Sequence, residues 1–372
     1  MSLGKQVRFI VSLRGETALR FFFVGKRHPQ QRDLIERPYG RFHHLPVALA
    51  ALGHDVRVML CSHRGLPALE HDADGVHWSS RDVRAFGPMR LWRELAQQAH
   101  AFRPDWIVGM SDAQYGWMAH RLSRRCGARL AIDAYDNYEA YMPWNAPLHW
   151  LWRRALRAAD LVTAAGPQLA ELLQSHRPLG RPVEVLPMAA DPQFRPRDKH
   201  ACRVALGLPE DAPLLGYVGS WTSSRGTHLI VDAFQRVRAA RPDARLVLSG
   251  RPPEDVQHLP GIIGLGYLPD SQLPLLVSAL DVACIVTADT AFGKFSYPAK
   301  LCEAMACKVP VVASATDAVR WMLDDRSKHL AKLGDATDFA ERALELLEAP
   351  RADYGDRPDW DSIGARFNNL LA

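Results

Sequence analysis

Short apolar runs recur along the chain, each closed by glycine, proline or charge, and most are followed by residues with helical spacing. Val7–Leu13 (VRFIVSL), ending in Arg14-Gly15, reads as a buried strand. Residues 39–53 (YGRFHHLPVALAALG) predict a helix stopped by Gly53, with Pro46 permissible only near its first turn. His54–Cys61 alternates like a strand, and further strands are expected at Trp106–Met110, Arg129–Ala134, Leu161–Ala164 and Val183–Leu186. Helices fall between them at Gly116–Cys126, Leu148–Ala159 and Gln168–Ser175. After the Pro- and charge-rich stretch Pro187–Lys199 the pattern restarts, with strands at Leu214–Val218, Arg245–Ser249, Ile262–Gly264, Val282–Val286 and Val309–Ala313. Helices are expected at Gly226–Ala240, around Ser271–Leu280, and at Lys300–Cys307 and Asp338–Glu348. Short apolar strands alternating with helices predict parallel sheets covered on both faces. Done twice, this is an α/β chain of two Rossmann-like domains meeting near 187–195. Ligands in such sheets sit at the carboxyl ends of strands, so the expected site is the cleft between two facing sheets.

Composition narrows the class. With 372 residues, 48% hydrophobic and 23% charged, the chain can bury two cores and is neither disordered nor fibrous. No apolar run approaches the ~20 residues that span a bilayer. The start MSLGKQVRFIVSL lacks a small-residue cleavage site, and the six cysteines form no CxxC pair, so a cytoplasmic protein with free thiols is expected. Charge is uneven: residues 1–187 carry 25 Lys/Arg against 17 Asp/Glu, net +8, and the remainder 21 against 24, net −3. The basic charges are scattered without a recognition motif, so nucleic acid is not an expected partner. Phe21-Phe22-Phe23 beside Lys26, Arg27, His28 and Arg32 has two readings, a core element with a solvated basic loop or a contact with an anionic membrane or lipid phosphate. Asp72-x-Asp74 imitates a metal-binding pair near His71 and His77, but the same spacing recurs at Asp359-x-Asp361, and no metal site is inferred.

The most informative stretch is Phe292–Ser314, FGKFSYPAKLCEAMACKVPVVAS. A strand is followed by Gly293, Ser296 and Pro298, then a helix whose start offers unpaired N–H groups and a positive dipole end suited to a diphosphate. Lys294 and Lys300 add positive charge there. Glu303, three residues past Lys300, either accepts hydrogen bonds from both hydroxyls of a ribose or pairs with Lys300 on a surface. In the first half, Asp112 follows one predicted strand and Asp136-Asn137 another. These groups either orient an acceptor and stabilise developing charge or cap the helices that follow.

P-x-K-x-x-E-A-M-A-x-x-x-P-V-V-A-S resembles the signature of the retaining GT-B glycosyltransferases of family 4, glycosyltransferase group 1. Gly53-His54-Asp55-Val56, Ala159-Asp160-Leu161-Val162, Val185–Phe194 (VLPMAADPQF), Leu215–Gly226 (LGYVGSWTSSRG) and Arg245–Gly250 (RLVLSG) resemble further family segments in the same order. The resemblance implies a GT-B fold of two facing Rossmann-like domains with an interdomain cleft. Residues 1–190 would bind the acceptor, residues 191–352 the nucleotide-sugar, and residues 353–372 would form a helix crossing back to the first domain. It also implies a hexosyltransferase-type enzyme that moves a sugar from a nucleotide-diphosphate donor to a saccharide or lipid-linked acceptor, in cell-surface polysaccharide or glycolipid biosynthesis. No metal or cofactor is required in that reading. Glu303 corresponds to the ribose-binding glutamate, and Arg225 replaces the lysine that neutralises the diphosphate. Arg225, Lys300 and Asp112 are the expected catalytic residues; Gly15, Gly219, Ser220, Lys294, Ser296, Tyr297, Pro298 and Glu303 are expected donor contacts. Arg14, Tyr39, Arg41, Asp136 and Asn137 are candidates on the acceptor side. Peripheral contact with the inner face of a membrane goes with the basic first half. Two departures stand out: Phe295 occupies the place of the family's first motif glutamate, and Ser220 the place of an arginine. A non-catalytic nucleotide-sugar-binding protein or a GT-B epimerase is the alternative.

Overall fold

The computed structural model describes residues 18–219, 221 and 226–372. Within them the chain forms two sheets, each with helices on both faces. The first sheet contains β1 (Arg20–Lys26), β2 (Asp55–Ser62), β3 (Leu69–Ala73), β4 (Val76–Asp82), β5 (Trp106–Met110), β6 (Arg129–Ala134), β7 (Leu161–Ala164) and β8 (Val183–Val185), in the order β3-β4-β2-β1-β5-β6-β7-β8. All neighbours are parallel except β3, which returns antiparallel along β4 as an edge hairpin. The second sheet contains β9 (Leu214–Tyr217), β10 (Arg245–Ser249), β11 (Ile262–Gly266), β12 (Val282–Ile285), β13 (Val311–Ser314) and β14 (Leu330–Ala331), ordered β11-β10-β9-β12-β13-β14 and parallel throughout.

The central place of the first sheet, between β2 and β5, belongs to Arg20–Lys26, with Phe21 opposite both Val56 and Trp106. The expectation that Val7–Leu13 is the first strand, followed by Arg14-Gly15 at the cleft, falls outside the described residues, and the strand carrying chain into the cleft here is β1. Phe21, Phe22 and Phe23 are at most 1% exposed, because a strand covered on both faces has no polar side to alternate with. That corrects the membrane reading of this cluster: these three rings are core, unavailable to a lipid. Pro46 also departs from expectation, sitting inside the helix Arg41–Ala51 beyond its first turn.

An aspartate just before a strand recurs as a register device. Asp105 accepts the Arg20 N–H (2.7 Å), Asp160 the Leu130 N–H (2.8 Å) and Asp281 the Leu214 N–H (2.7 Å). Each carboxylate takes a backbone donor from the first or second residue of the neighbouring strand, at the sheet end where ladder partners run out. The Ala159-Asp160-Leu161-Val162 motif is one of these three.

The last helix, Trp360–Leu371, begins in a capping box between Asp359 and Ser362 and packs on Arg41–Ala51 of the first half. Its buried residues Trp360, Ile363, Phe367 and Leu371 follow the predicted helical spacing. Trp106 donates its indole N–H to the Leu371 carbonyl (3.0 Å). His54 Nδ1 accepts from Leu19 N–H, which leaves Nε2–H to donate to Asn368 Oδ1 (2.7 Å). The two helices touch at Gly364, where a Cβ would lie 2.2 Å from the Ala48 Cβ. Gly364→Ala improves intrinsic helix propensity by about 1 kcal/mol but forces these helices apart. We therefore expect a net destabilisation of about 1–3 kcal/mol, measured by chemical denaturation. A raised midpoint would show that the contact yields freely.

Candidate active site

Both sheets present their switch points to one cleft. In the second half Gly219, Gly250 and Thr287 follow the carboxyl ends of the strands β9, β10 and β12 by one or two residues. Gly219 has φ 150° and Gly250 φ 87°, and a Cβ on Gly250 would lie 2.7 Å from the Gly219 carbonyl oxygen. Gly219 N–H is held by Ser249 Oγ (3.2 Å) and Thr287 N–H by Ser314 Oγ (3.3 Å). A Cβ on Gly219 would fall 2.1 Å from the Lys300 ammonium, so the bare glycine lets this cation lie against the loop. The same ammonium stands 5.7 Å from the Tyr217 ring centroid.

Lys300 belongs to the first turn of the helix Ala299–Ala306, whose N-cap Pro298 supplies no side-chain cap. Backbone donors, the dipole and Lys300 thus concentrate positive potential at one point. Lys294 lies on the short 3-10 turn Gly293–Phe295 before it and pairs with Asp289 at 3.5 Å, both largely exposed. Lys294 is therefore a rim cation, while Lys300 lies inside. Glu303, one turn further along, is 5% exposed. Burial lifts its carboxyl above the ordinary glutamate range, opposed by a Tyr39 hydrogen bond and by Lys300.

The partner of Glu303 comes from the other domain. Tyr39, which precedes the helix Arg41–Ala51, donates its hydroxyl to Glu303 Oε1. Arg32 stacks on the Tyr39 ring, 4.2 Å from its centroid, and also reaches Asp270 of the second domain (3.0 Å). Arg37 reaches the same carboxylate (2.5 Å), which these two arginines hold below its usual range against the opposing effect of burial. The segment between β1 and Tyr39 is itself pinned at its root by the buried Arg27–Asp33 pair (2.9 Å). Sequence reasoning identified Tyr39 but missed Arg32, Arg37 and Asp270 as a cross-cleft clasp; no local pattern connects them.

Tyr297, expected among the donor contacts, is placed elsewhere. Its ring is fully buried against Gly166, where a Cβ would come 2.0 Å from it. Its hydroxyl donates to Gln168 Oε1 (2.8 Å) and accepts from Leu169 N–H (3.2 Å). It pins the second domain to the start of the helix Pro167–Gln174. Arg41 is likewise corrected: it is 2% exposed and forks onto both oxygens of Asp133 at 2.6 Å. It also donates to the Leu186 carbonyl (2.7 Å) at the start of the interdomain linker. It is a buried strut, with nothing left for an acceptor.

Asp112 lies just beyond the carboxyl end of β5. It occupies the N-cap of the helix Ala113–Cys126 yet caps nothing, and instead pairs with Lys26 at the end of β1 (3.2 Å). His63, at the end of β2, donates to or accepts from the Tyr115 hydroxyl (3.1 Å). Burial and Lys26 depress its pKa below the usual value. Lys26 entered the sequence reading only as part of the basic cluster after Phe21-Phe22-Phe23, and His63 not at all; His63 follows the predicted strand His54–Cys61 closely, whereas Lys26 ends a strand that was not predicted there. Asp136 is buried and accepts from the Tyr141 hydroxyl (3.0 Å). Asn137 makes no side-chain cap and bridges to the Ala291 carbonyl across the cleft (3.2 Å). Arg14, Gly15, Ser220 and Arg225 lie outside the described residues. Asp72 and Asp74 belong to the β3–β4 hairpin at the sheet edge, where Asp72 pairs with His77 (2.7 Å).

Two parallel-sheet domains thus set a glycine-lined loop and a basic helix start opposite Tyr39 of the first half, at the carboxyl ends of the strands, where ligands of such sheets bind. Residues 40–189 match the glycosyl transferase 4-like domain and residues 212–349 match glycosyl transferases group 1. The chain belongs to the group 1 glycosyl transferases. A D-inositol 3-phosphate glycosyltransferase of Stackebrandtia nassauensis is 31% identical over 212 residues, covering 51% of this chain and 47% of that protein. The 2-deoxystreptamine N-acetyl-D-glucosaminyltransferase of Streptomyces fradiae is 27% identical over 335 residues, covering 80% and 77%. The chain thus matches about half the length of several of these curated relatives. Among solved structures, the sucrose-phosphate synthase of Thermosynechococcus elongatus superposes with TM-score 0.69 at 18% identity, covering 95% of this chain and 98% of that one. Anabaena HepE in complex with UDP-glucose superposes with TM-score 0.69 at 15% identity, covering 95% and 99%. The fold is therefore GT-B.

Proposed function

We propose that the protein is a retaining, hexosyltransferase-type glycosyltransferase, using a nucleoside-diphosphate sugar and a saccharide or lipid-linked hydroxyl as acceptor. Residues 1–190 bind the acceptor, residues 191–352 bind the donor, and residues 353–372 close the pair. The observation that carries this reading is Glu303, a buried carboxylate that takes a hydroxyl hydrogen bond from outside its own domain, beside Lys300 and an uncapped helix start. A ribose offers the same chemistry as Tyr39, two adjacent hydroxyl donors, and the diphosphate then reaches Lys300 and the helix N–H groups. The relatives' transfer activities and the UDP-glucose complex of HepE support it further.

In the reaction, the acceptor oxygen bonds to the anomeric carbon on the face from which the diphosphate departs. The carbon–oxygen bond to the β-phosphate breaks, and the departing phosphate oxygen takes the acceptor's proton. Lys300, Arg225 and the helix start at Pro298 stabilise the charge that develops on the diphosphate. Gly219, Ser220, Ser296 and Gly15 line the donor, and Lys294 attracts it from the rim. Asp112, with its Lys26 partner, stabilises positive charge on the sugar or orients the acceptor hydroxyl. The arginine–Asp270 clasp shuts water out on closure. Neither metal nor organic cofactor takes part in this scheme. Cytoplasmic work in cell-surface polysaccharide or glycolipid synthesis fits it.

The test is a panel of UDP-, GDP- and ADP-sugars, followed by calorimetric binding and by donor hydrolysis without acceptor. One nucleotide class should bind and its sugar be slowly released with the anomeric configuration kept. Tight binding without release or transfer would instead support the non-catalytic reading, to which Phe295 in place of a carboxylate points. Inversion would remove the front-side route.

A further inference from the structure

On the face of the first domain built by the helices Ala113–Cys126 and Ala146–Ala158, the two sequences AQYGWMAHRLSRRC and APLHWLWRRALRA contain six arginines and no Asp or Glu. Arg153 is paired with Glu139. Arg121, Arg124, Arg125, Arg154 and Arg157 are exposed and make no ion pair among the described residues. Arg121, Arg124 and Arg154 converge around His120, whose pKa is lowered by burial first and by these three cations next. Between the helices runs an open groove of about 550 Å³ with Arg124 and Arg154 on its walls and one acid, Asp160, at its end. That carboxylate is engaged by the Leu130 N–H.

The cations are interleaved with exposed apolar side chains. Trp150 is 58% exposed with Arg154 stacked at 5.5 Å, and Trp144, at the entry to the same helix, is 77% exposed. Past the helix's far end Leu179 is 99% exposed on a turn that Arg177 ties to the Leu156 carbonyl (2.6 Å). Leaving these large apolar side chains in water beside these cations marks the face as an interaction surface.

We infer that this arginine- and tryptophan-bearing face docks on an anionic phospholipid surface, with the guanidinium groups at the phosphates and Trp144, Trp150 and Leu179 below them. Cationic groups beside indoles match the layering of a bilayer interface. A protruding aliphatic knob such as Leu179 gains by entering acyl chains and gains nothing against a polyanion's phosphates. The face reaches the cleft at Tyr141, whose ring lies 4.8 Å from Phe292 of the second domain, so a lipid-linked acceptor held in the bilayer would meet the cleft edge. The docking stands on the surface alone; only the acceptor step rests on the transfer reading.

Co-sedimentation with phosphatidylcholine vesicles, with and without phosphatidylglycerol, tests it. Binding should require phosphatidylglycerol and fall with added salt. Arg121→Glu, Arg124→Glu and Arg154→Glu together should weaken it by roughly 100-fold or more, at a few-fold per charge reversed. Trp150→Ala and Leu179→Ser should weaken it singly without altering its salt dependence. Circular dichroism and nucleotide binding should be unchanged in all of these, which separates this result from any failure of the donor-site reading. Equal binding to neutral vesicles, full binding by the charge-reversed protein, or retention by heparin with no vesicle binding would each overturn the inference.

Discussion

Replacing Glu303 by Ala is expected to weaken binding of the donor nucleotide by about 100-fold, whereas Tyr39→Phe is expected to strengthen it several-fold. Two hydrogen bonds from ribose hydroxyls to a carboxylate are worth at least about 1.5 kcal/mol each, and 1.4 kcal/mol is a tenfold change in affinity. The Tyr39 hydroxyl holds the same carboxylate when no nucleotide is bound. Removing it deletes a competing hydrogen bond to the same carboxylate, also worth about 1.5 kcal/mol and only partly recovered when the freed hydroxyl meets water, which gives the opposite sign from a neighbouring residue in direct contact. Calorimetric titration of both variants with the preferred nucleotide decides the matter; unchanged affinity in Glu303→Ala would sink the ribose assignment.

The pH dependence follows from the same burial. Because desolvation raises the Glu303 pKa, the folded protein holds this proton more tightly than the unfolded chain does. Its contribution to stability is therefore present below the unfolded glutamate pKa and is lost as pH rises through the higher folded value. That loss leaves Glu303 a net cost at higher pH, so Glu303→Gln should melt higher than the wild type at pH 7 and should lose that advantage in acid. Donor binding moves the other way, strengthening as the carboxyl ionises. A site that is stabilised by its own inactivation is what a buried functional charge predicts.

The second large effect belongs to Arg41. Arg41→Met is expected to destabilise the first domain by about 3–5 kcal/mol, because it leaves Asp133 buried and unpaired. The pair is 1% exposed on both sides, and Thr163 is the other side chain that donates to Asp133 (2.5 Å). The double variant Arg41→Met with Asp133→Leu should recover most of the loss, since apolar groups of similar volume need no partner. Urea denaturation of the three proteins is the measurement. A mild effect in the single variant would return Arg41 to the list of groups free to bind an acceptor.

Much of the frame could be read from local pattern. Most buried strands outside β1 and β4 announced themselves as apolar runs, and the last helix by Trp360, Ile363 and Phe367 at helical spacing. The helix Pro88–Phe102 was overlooked although Gly87-Pro88 and the buried positions Leu91, Leu95 and Ala99 carry the signal. The strand β4, VHWSSRD, was overlooked for a better reason. Its polar residues are buried by long-range bonding, Ser79 to the Val58 carbonyl and Arg81 to Glu70 and Glu94, so beyond Val76 and Trp78 its burial leaves no apolar trace.

The site divides along the same line. Residue type, spacing and motif were enough to place Gly219, Lys300 and Glu303 at the ends of strands and the start of one helix, because those features are local. They could not say that Glu303 would face Tyr39, 264 positions away, or that Asp270 would meet Arg32 and Arg37. Nor could they say that Tyr39 and Arg41, two residues apart, would part company, one at the cleft and one locked under the linker. The Glu303 and Asp270 contacts depend on how the two domains dock, and Arg41's on how β6 and the start of the linker close over its helix. Docking is chosen by long-range packing and by which buried charges find partners, quantities that no stretch of sequence contains until the chain has closed on itself.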